Sequence, residues 1–138
     1  MNGPVKLWAV VIAVGVALSA VGCGGKPDKA VVERKVREGL AKSPEWKDVA
    51  VEMKLDGTIT TAGANRTIDG KAHWFSFTGH DGNGGVAVRS PAGEWLCKYG
   101  YEQGKEVSAE KMTGKDEDVT KFRTVAAEFA AVCVDAGK

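Results

Sequence analysis

KAHWFSFTGHDGNGGVAVRSPAGEWLCKYGY, residues Lys71 to Tyr101, decides the fold. It opens with His73, Phe75 and Phe77 alternating with Ala72, Trp74 and Ser76, the period of two that marks a strand, and it carries an aromatic on each face. Gly79-His80-Asp81-Gly82-Asn83-Gly84-Gly85 follows. Four of these seven residues are glycines, which accept positive φ without a steric penalty, so the segment reads as a tight connection. Val86 to Arg89 is the next strand and Ser90-Pro91-Ala92-Gly93 the next turn. Glu94 to Tyr101 is a third strand, whose alternation places Trp95, Cys97, Tyr99 and Tyr101 on one face. Three strands joined by short turns make an antiparallel meander.

Working outward, Val49, Val51, Met53 and Leu55 alternate with Ala50, Glu52, Lys54 and Asp56, a fourth strand ending at Gly57. Between it and the meander, Thr60 to Gly70 is polar and reads as a loop or ragged hairpin that closes on Asp69-Gly70. Upstream, Val32, Val36 and Leu40 recur every fourth residue after Asp28, a residue type suited to an N-cap. That is an amphipathic helix, and Ser43-Pro44 stops it. Downstream, Gln103 to Lys115 is polar with weak patterning. From Asp116 to Ala136, Val119, Phe122, Ala126, Phe129 and Cys133 form one apolar seam of a second helix, with Asp116, Glu117 and Asp118 at the end where the helix dipole favours acid. The expected fold is α+β: an N-terminal helix packed on a four-stranded antiparallel meander, plus a C-terminal helix, in a single domain over 28–138.

Residues 1–22 have the layout of an export signal. A start with one lysine, Lys6, leads into the apolar run Leu7 to Gly22, which ends on small residues directly before Cys23. At sixteen residues the run is shorter than the roughly 20 that a spanning helix needs. Ala20-Val21-Gly22-Cys23 resembles the lipobox of bacterial lipoproteins, with Ala20 where that family commonly has leucine. The resemblance implies cleavage before Cys23, acylation of Cys23 with palmitate-type chains, and a short lipidated tether over 23–27. Two or three acyl chains exceed what stable anchoring requires. A non-lipidated signal or signal anchor is the first alternative, and a cytoplasmic protein the second. The expected address is the cell envelope, facing the periplasm or the exterior, and Gly24 after the cysteine suits outer-membrane sorting where that rule operates.

Three cysteines support this address. If Cys23 carries lipid, Cys97 and Cys133 remain as a pair for a disulfide in an oxidising compartment, the alternative being two buried free thiols. Beyond the leader the chain has 18 acidic side chains and, without Lys6, as many basic ones. A balanced surface of this kind argues against nucleic-acid binding, which needs a basic face to neutralise phosphates. The membrane partner is engaged through the anchor alone, leaving an envelope protein as the expected second partner.

Reactive groups do not converge. His73 and His80 are two histidines where a metal site needs three or four ligands. Asp81 and Asn83 resemble the start of a calcium loop that lacks its later ligands. Ser43, Ser76, Ser90 and Ser108 stand in no nucleophile elbow, and Glu52, Asp56 and Glu94 read as outward or turn residues. Asn65-Arg66-Thr67 matches a glycosylation sequon by composition alone. No catalytic, cofactor or metal residues are therefore assigned. Trp46, Trp74, Trp95, Tyr99 and Tyr101 are either core or the lining of a groove.

The order of the elements, with Gly70-Lys71-Ala72-His73-Trp74-Phe75-Ser76-Phe77-Thr78-Gly79, Gly82-Asn83-Gly84-Gly85-Val86-Ala87-Val88 and Gly93-Glu94-Trp95, resembles the cytochrome oxidase assembly factor-like (Coa1-type) domain. The resemblance runs from about Asp28 to Tyr101 and implies a helix followed by a β-meander and a role in assembly. The expected function is a membrane-anchored, non-enzymatic interaction or assembly module. Two alternatives stand beside it. One is a small-ligand or enzymatic domain with a pocket between helix and sheet, lined by His73, Trp74 or the aromatic strand face. The other is an inhibitor or immunity lipoprotein.

Overall fold

Asp28 opens the first helix, α1 (Lys29–Leu40), by accepting a hydrogen bond from the Val31 N–H at 2.9 Å. The computed structural model describes residues 28–55, 59–80 and 82–138, without the His80 side chain. The leader, Cys23, the tether, Asp56, Gly57 and Asp81 lie outside the described residues. Val32, Val36 and Leu40 form the buried stripe of α1, and Glu33 pairs with Arg37 one turn on, at 4.0 Å. Arg37 also donates to the Val49 carbonyl at 3.1 Å, tying the helix to the first strand.

Six strands follow, each antiparallel to the next and in the sheet order of the sequence: β1 (Trp46–Met53), β2 (Ile59–Ile68), β3 (Lys71–His80), β4 (Asn83–Arg89), β5 (Trp95–Glu102) and β6 (Lys105–Lys111). The α+β class stands, but the strand count rises from four to six, and the main cover of the sheet is the C-terminal helix, the N-terminal one meeting it chiefly at β1. The expected loop from Thr60 is β2, paired in register with β3 from Ala62↔Phe77 to Ile68↔Lys71. Its Ala62 and Ala64 are fully buried opposite Phe77 and Phe75. Small side chains there leave room for the rings beside them, and a strand built from them lacks the bulky alternation by which strands are recognised. The other addition, β6, is exposed along nearly its whole length, so it has no apolar face to betray it.

The second helix, α2 (Asp116–Ala136), has the bounds its seam predicts. The Asp118 carboxylate accepts from the Lys115 N–H at 2.8 Å and closes its first turn. Both helices lie on one face of the sheet, α2 across β3 to β6 and α1 against β1 and α2. Between them sits an aromatic cluster. Trp46 stacks on Phe129 at 5.2 Å and meets Phe75 edge-on at 5.4 Å, and Phe75 meets Phe122 edge-on at 6.2 Å. Such ring pairs contribute about 0.5–1.5 kcal/mol each beyond the area they bury. These rings fill the space between helix and sheet where the alternative reading places a pocket. Among the described residues no helix is long and apolar enough to cross a membrane.

The expected Cys97–Cys133 disulfide is corrected. Both are buried free thiols. The Cys97 Sγ lies 3.9 Å from the Asp118 carbonyl oxygen, in the first turn of α2. Cys133 is fifteen residues further along that helix, about 22 Å at the helical rise of ~1.5 Å per residue. Bridged cysteines have Cα atoms within about 7 Å, so these two cannot join in this fold.

Candidate functional site

Side chains alternate along a strand, so the face opposite the helices is made by the other half of the strand residues. Across β2 to β5 that half is small or polar. Gly63 pairs with Ser76, Ser76 with Ala87 and Ala87 with Lys98; in the next row Thr78 pairs with Gly85 and Gly85 with Gly100. This flat floor is flanked by larger side chains. Ser76, Thr78, Ala87, Trp95, Lys98 and Met112 border a groove of about 420 Å³, within the range of small-ligand and peptide side-chain sites.

One end of the groove is lined by Trp95, and just beyond it on the same face stand Arg89 and Trp74. Trp74 pairs with Arg89 across β3 and β4. Arg89 would face Leu96 in a regular ladder, but a bulge opposite Val88/Arg89 brings Trp95 there instead. Strict alternation places Trp95 with Cys97, Tyr99 and Tyr101; the bulge turns it outward while those three stay buried. The Arg89 guanidinium thus lies between two indoles, 5.7 Å from the Trp74 ring centroid and 5.3 Å from that of Trp95. It has no hydrogen bond or carboxylate partner among the described residues. Trp74 is seated on Gly63, whose bare α-carbon leaves space for the ring.

The residue that the bulge inserts, Leu96, is buried under the segment that leaves β6. Its carbonyl accepts from the N–H groups of Met112 at 2.8 Å and Gly114 at 3.2 Å, and the Thr113 hydroxyl donates to the Trp95 carbonyl. These bonds fix Met112, which is 42% exposed, at the rim. Lys98 is paired with Glu110 at 3.5 Å, both side chains more than half exposed; a pair so solvated contributes under about 1 kcal/mol. The groove therefore offers a floor of small residues, the apolar Trp95 and Met112 at its edges, hydroxyls from Ser76 and Thr78 and the Lys98 cation, with Arg89, which has no counter-ion among the described residues, next to it behind Trp95.

The aromatics weighed as core or groove divide between the two. Trp46, Tyr99 and Tyr101 are core, whereas Trp74 and Trp95 are half-buried on the open face. Tyr99 donates to the Val119 carbonyl at 2.5 Å, and the Cys97 thiol lies 3.5 Å from its hydroxyl. Burial, reinforced by the Cys97 contact, pushes the Tyr99 phenol well above its usual range. The Tyr101 hydroxyl is buried without a hydrogen-bond partner among the described residues, and desolvation, followed by the nearby Glu106 charge, raises it too.

His73 is 7% exposed, its ring 4.9 Å from Phe122, with Nδ1 3.2 Å from the Lys71 carbonyl. A carbonyl accepts only, so Nδ1 carries the proton, and burial holds the imidazole below its usual pKa. Asn83 is a turn brace whose side-chain oxygen accepts from the Gln103 N–H at 3.0 Å. The Ser43 hydroxyl accepts from Arg66 at 3.1 Å and the Ser90 hydroxyl from the Glu94 N–H at 3.1 Å. The sequon Asn65-Arg66-Thr67 lies inside β2, not in a loop, and Asn65 donates to the Asp48 carboxylate at 2.9 Å. Among the described residues no three His, Cys, Asp or Glu side chains gather to hold a metal ion.

A second depression, about 300 Å³, lies between the helices and is bordered by Lys35, Glu38, Lys42, Val132 and Asp135. Its floor is closed by Val132 packed against Gly39. Charged residues of both signs around a closed floor make a solvated seam, so the open-face groove is the stronger candidate. Sequence reasoning missed Arg89 and Met112. The alternation of Val86 and Val88 with Ala87 and Arg89 points Arg89 outward, but the bulge that pairs it with Trp95 leaves no trace in residue type. No family model, no curated protein and no solved structure matches the chain.

Proposed function

We propose that this chain is an exported, lipid-anchored envelope protein acting as a non-enzymatic interaction or assembly module, and that it meets its partner through the open face of the sheet. The observation that carries the reading is the unfilled groove edged by Trp95 and Met112, with Arg89 and Trp74 beside it, opposite a face that two helices already cover. Exposed aromatics, methionine and arginine grouped on one surface are the composition of recognition sites. The glycine-punctuated motif that resembles the assembly-factor domain spans β3, β4 and the start of β5, the strands that build this groove. A lipid on Cys23 supplies the membrane attachment, leaving the sheet face to the protein partner.

The test is a photo-crosslinking residue placed in the full chain in intact cells, either at Thr78 or Met112 on the open face or at Arg34 or Ala131 on the outer surfaces of the helices. One discrete adduct from the open-face positions, with none from the helical ones, is expected. Adducts confined to the helical positions would overturn the assignment.

A further inference from the structure

Arg89 is held for a ligand that it does not find within this chain. Its guanidinium is fixed between two indoles, which restricts its orientation and shields its faces while leaving its N–H edge without an acceptor among the described residues. A cation–π contact with an aromatic stabilises the charge by about 0.5–1 kcal/mol at an exposed site but satisfies none of its donors. The other polar groups at the groove are donors or hydroxyls as well. The Trp74 and Trp95 indole N–H groups and the Ser76 and Thr78 hydroxyls have no hydrogen-bond partner among the described residues, and Lys98 adds a second cation. Glu110, the acid opposite Lys98 in the ladder, neutralises Lys98 and not Arg89. What fits such a surface is rich in acceptors and carries negative charge beside an apolar group.

We infer that the groove receives an acidic peptide segment of a partner protein, with one carboxylate on Arg89, a second displacing Glu110 from Lys98, and an adjoining apolar side chain against Trp95, Ala87 and Met112. This rests on the open face being the interaction surface and specifies what binds there. A peptide is favoured by spacing. Arg89 lies two residues beyond Ala87, which pairs with Lys98, so the two cations are diagonal neighbours about 7 to 8 Å apart at the backbone. Side chains at i and i+2 of an extended peptide are separated by about 6.6 Å and point to the same side, which brings both acids down together. Arginine holds a carboxylate in a two-pronged fork, and the two indoles hold that fork in place before binding.

The experiment pans a random heptapeptide library against the full-length protein in detergent micelles. The wild type is expected to enrich peptides with Asp or Glu two residues apart beside an apolar residue. Arg89→Gln and Lys98→Gln are each expected to bind the winning peptide about tenfold or more weakly, while the Trp46 indole resonance stays in place to show an intact core. An acidic consensus bound equally by both variants overturns the inference, as does failure to enrich any peptide. A neutral consensus whose binding is lost in Ala87→Gln, which fills the groove without charge, overturns the acidic assignment but leaves the open face as the contact surface. Failure of that broader reading shows instead in crosslinks confined to the helices.

Discussion

The indole of Trp74 lies directly on the α-carbon of Gly63, so closely that a Cβ built on Gly63 would stand 2.1 Å from a ring carbon. Gly63 therefore sets the position of Trp74 on the open face although it contributes no side chain. Gly63→Ala must push the indole away, breaking its stack on Arg89 at an overpacking cost of about 1–3 kcal/mol. The Trp74 indole N–H resonance is expected to move while that of Trp46, on the other face, stays. Unchanged Trp74 and Arg89 resonances in a folded Gly63→Ala protein would contradict the packing.

The separation of Cys97 from Cys133 along α2 predicts a chain without an internal disulfide. Mass spectrometry of the membrane-extracted protein is expected to give residues 23–138 plus acyl chains, with no change on reduction. Both thiols are buried and held protonated by desolvation, so they should resist alkylation in the native state and react together in denaturant. A mass gain of two hydrogens on reduction would contradict this placement.

Stability should fall in alkali. Burial raises Cys97 and Cys133 above an ordinary thiol pKa of 9.0, and Tyr99 and Tyr101 above an ordinary phenol pKa of 10.0. In each case the folded chain keeps a proton that the unfolded chain gives up, so the associated stability is fully present below about pH 9 and is lost as pH rises beyond it. Urea unfolding at pH 7 and pH 10.5 reads the difference. Tyr101→Phe removes a buried hydroxyl without a hydrogen-bond partner among the described residues, so it should be neutral or stabilising by about 1 kcal/mol at pH 7 and should reduce the alkaline loss. Tyr99→Phe, which breaks the bond to the Val119 carbonyl, should instead destabilise by about 1 kcal/mol at pH 7.

Arg66 is the structural counterpart of Arg89. Its side chain is only 17% exposed, with the guanidinium 5.2 Å from the Trp46 ring centroid, a bond to Ser43, and the Glu45 and Glu128 carboxylates each at 3.9 Å. Here the arginine is paired within the fold and joins β2 to the turn after α1 and to α2. Arg66→Ala should cost about 2 kcal/mol in denaturant unfolding, against under about 0.5 kcal/mol for Lys98→Ala. Equal costs would mean that Arg66 is no brace.

The sequence made both helices legible because their apolar stripes repeat without interruption: Val32, Val36 and Leu40 in one, Phe122, Ala126, Phe129 and Cys133 in the other. Strands β3, β4 and β5 show in the alternation of large residues with small ones, but the connection read over Gly79–Gly85 is mostly strand, because its glycines pair across the hairpin (Gly79 with Gly84, His80 with Asn83) without side chains to alternate. Ile59–Ile68 hid because its central buried positions, Ala62, Gly63 and Ala64, are all small, and the fit of the two alanines to Phe77 and Phe75 is visible only once the strands are paired. Lys105–Lys111 hid because an edge strand exposed on both faces carries no alternation at all. The site depends on register. Alternation alone puts Trp95 in the core, and one inserted residue, Leu96, turns it toward Arg89.

The central claim, an accessible indole pair made electropositive by an unpaired guanidinium, is tested most directly by quenching tryptophan fluorescence with iodide and with caesium. Measured on the chain from Cys23 onward, which omits Trp8, the signal reports mainly Trp74 and Trp95, because Trp46 is 9% exposed and largely shielded. Iodide is expected to quench several-fold more strongly than caesium at low salt, with the gap narrowing in Arg89→Gln and at high ionic strength as screening sets in. Equal quenching by the two ions, or a wild-type response indistinguishable from that of Arg89→Gln, would contradict the account.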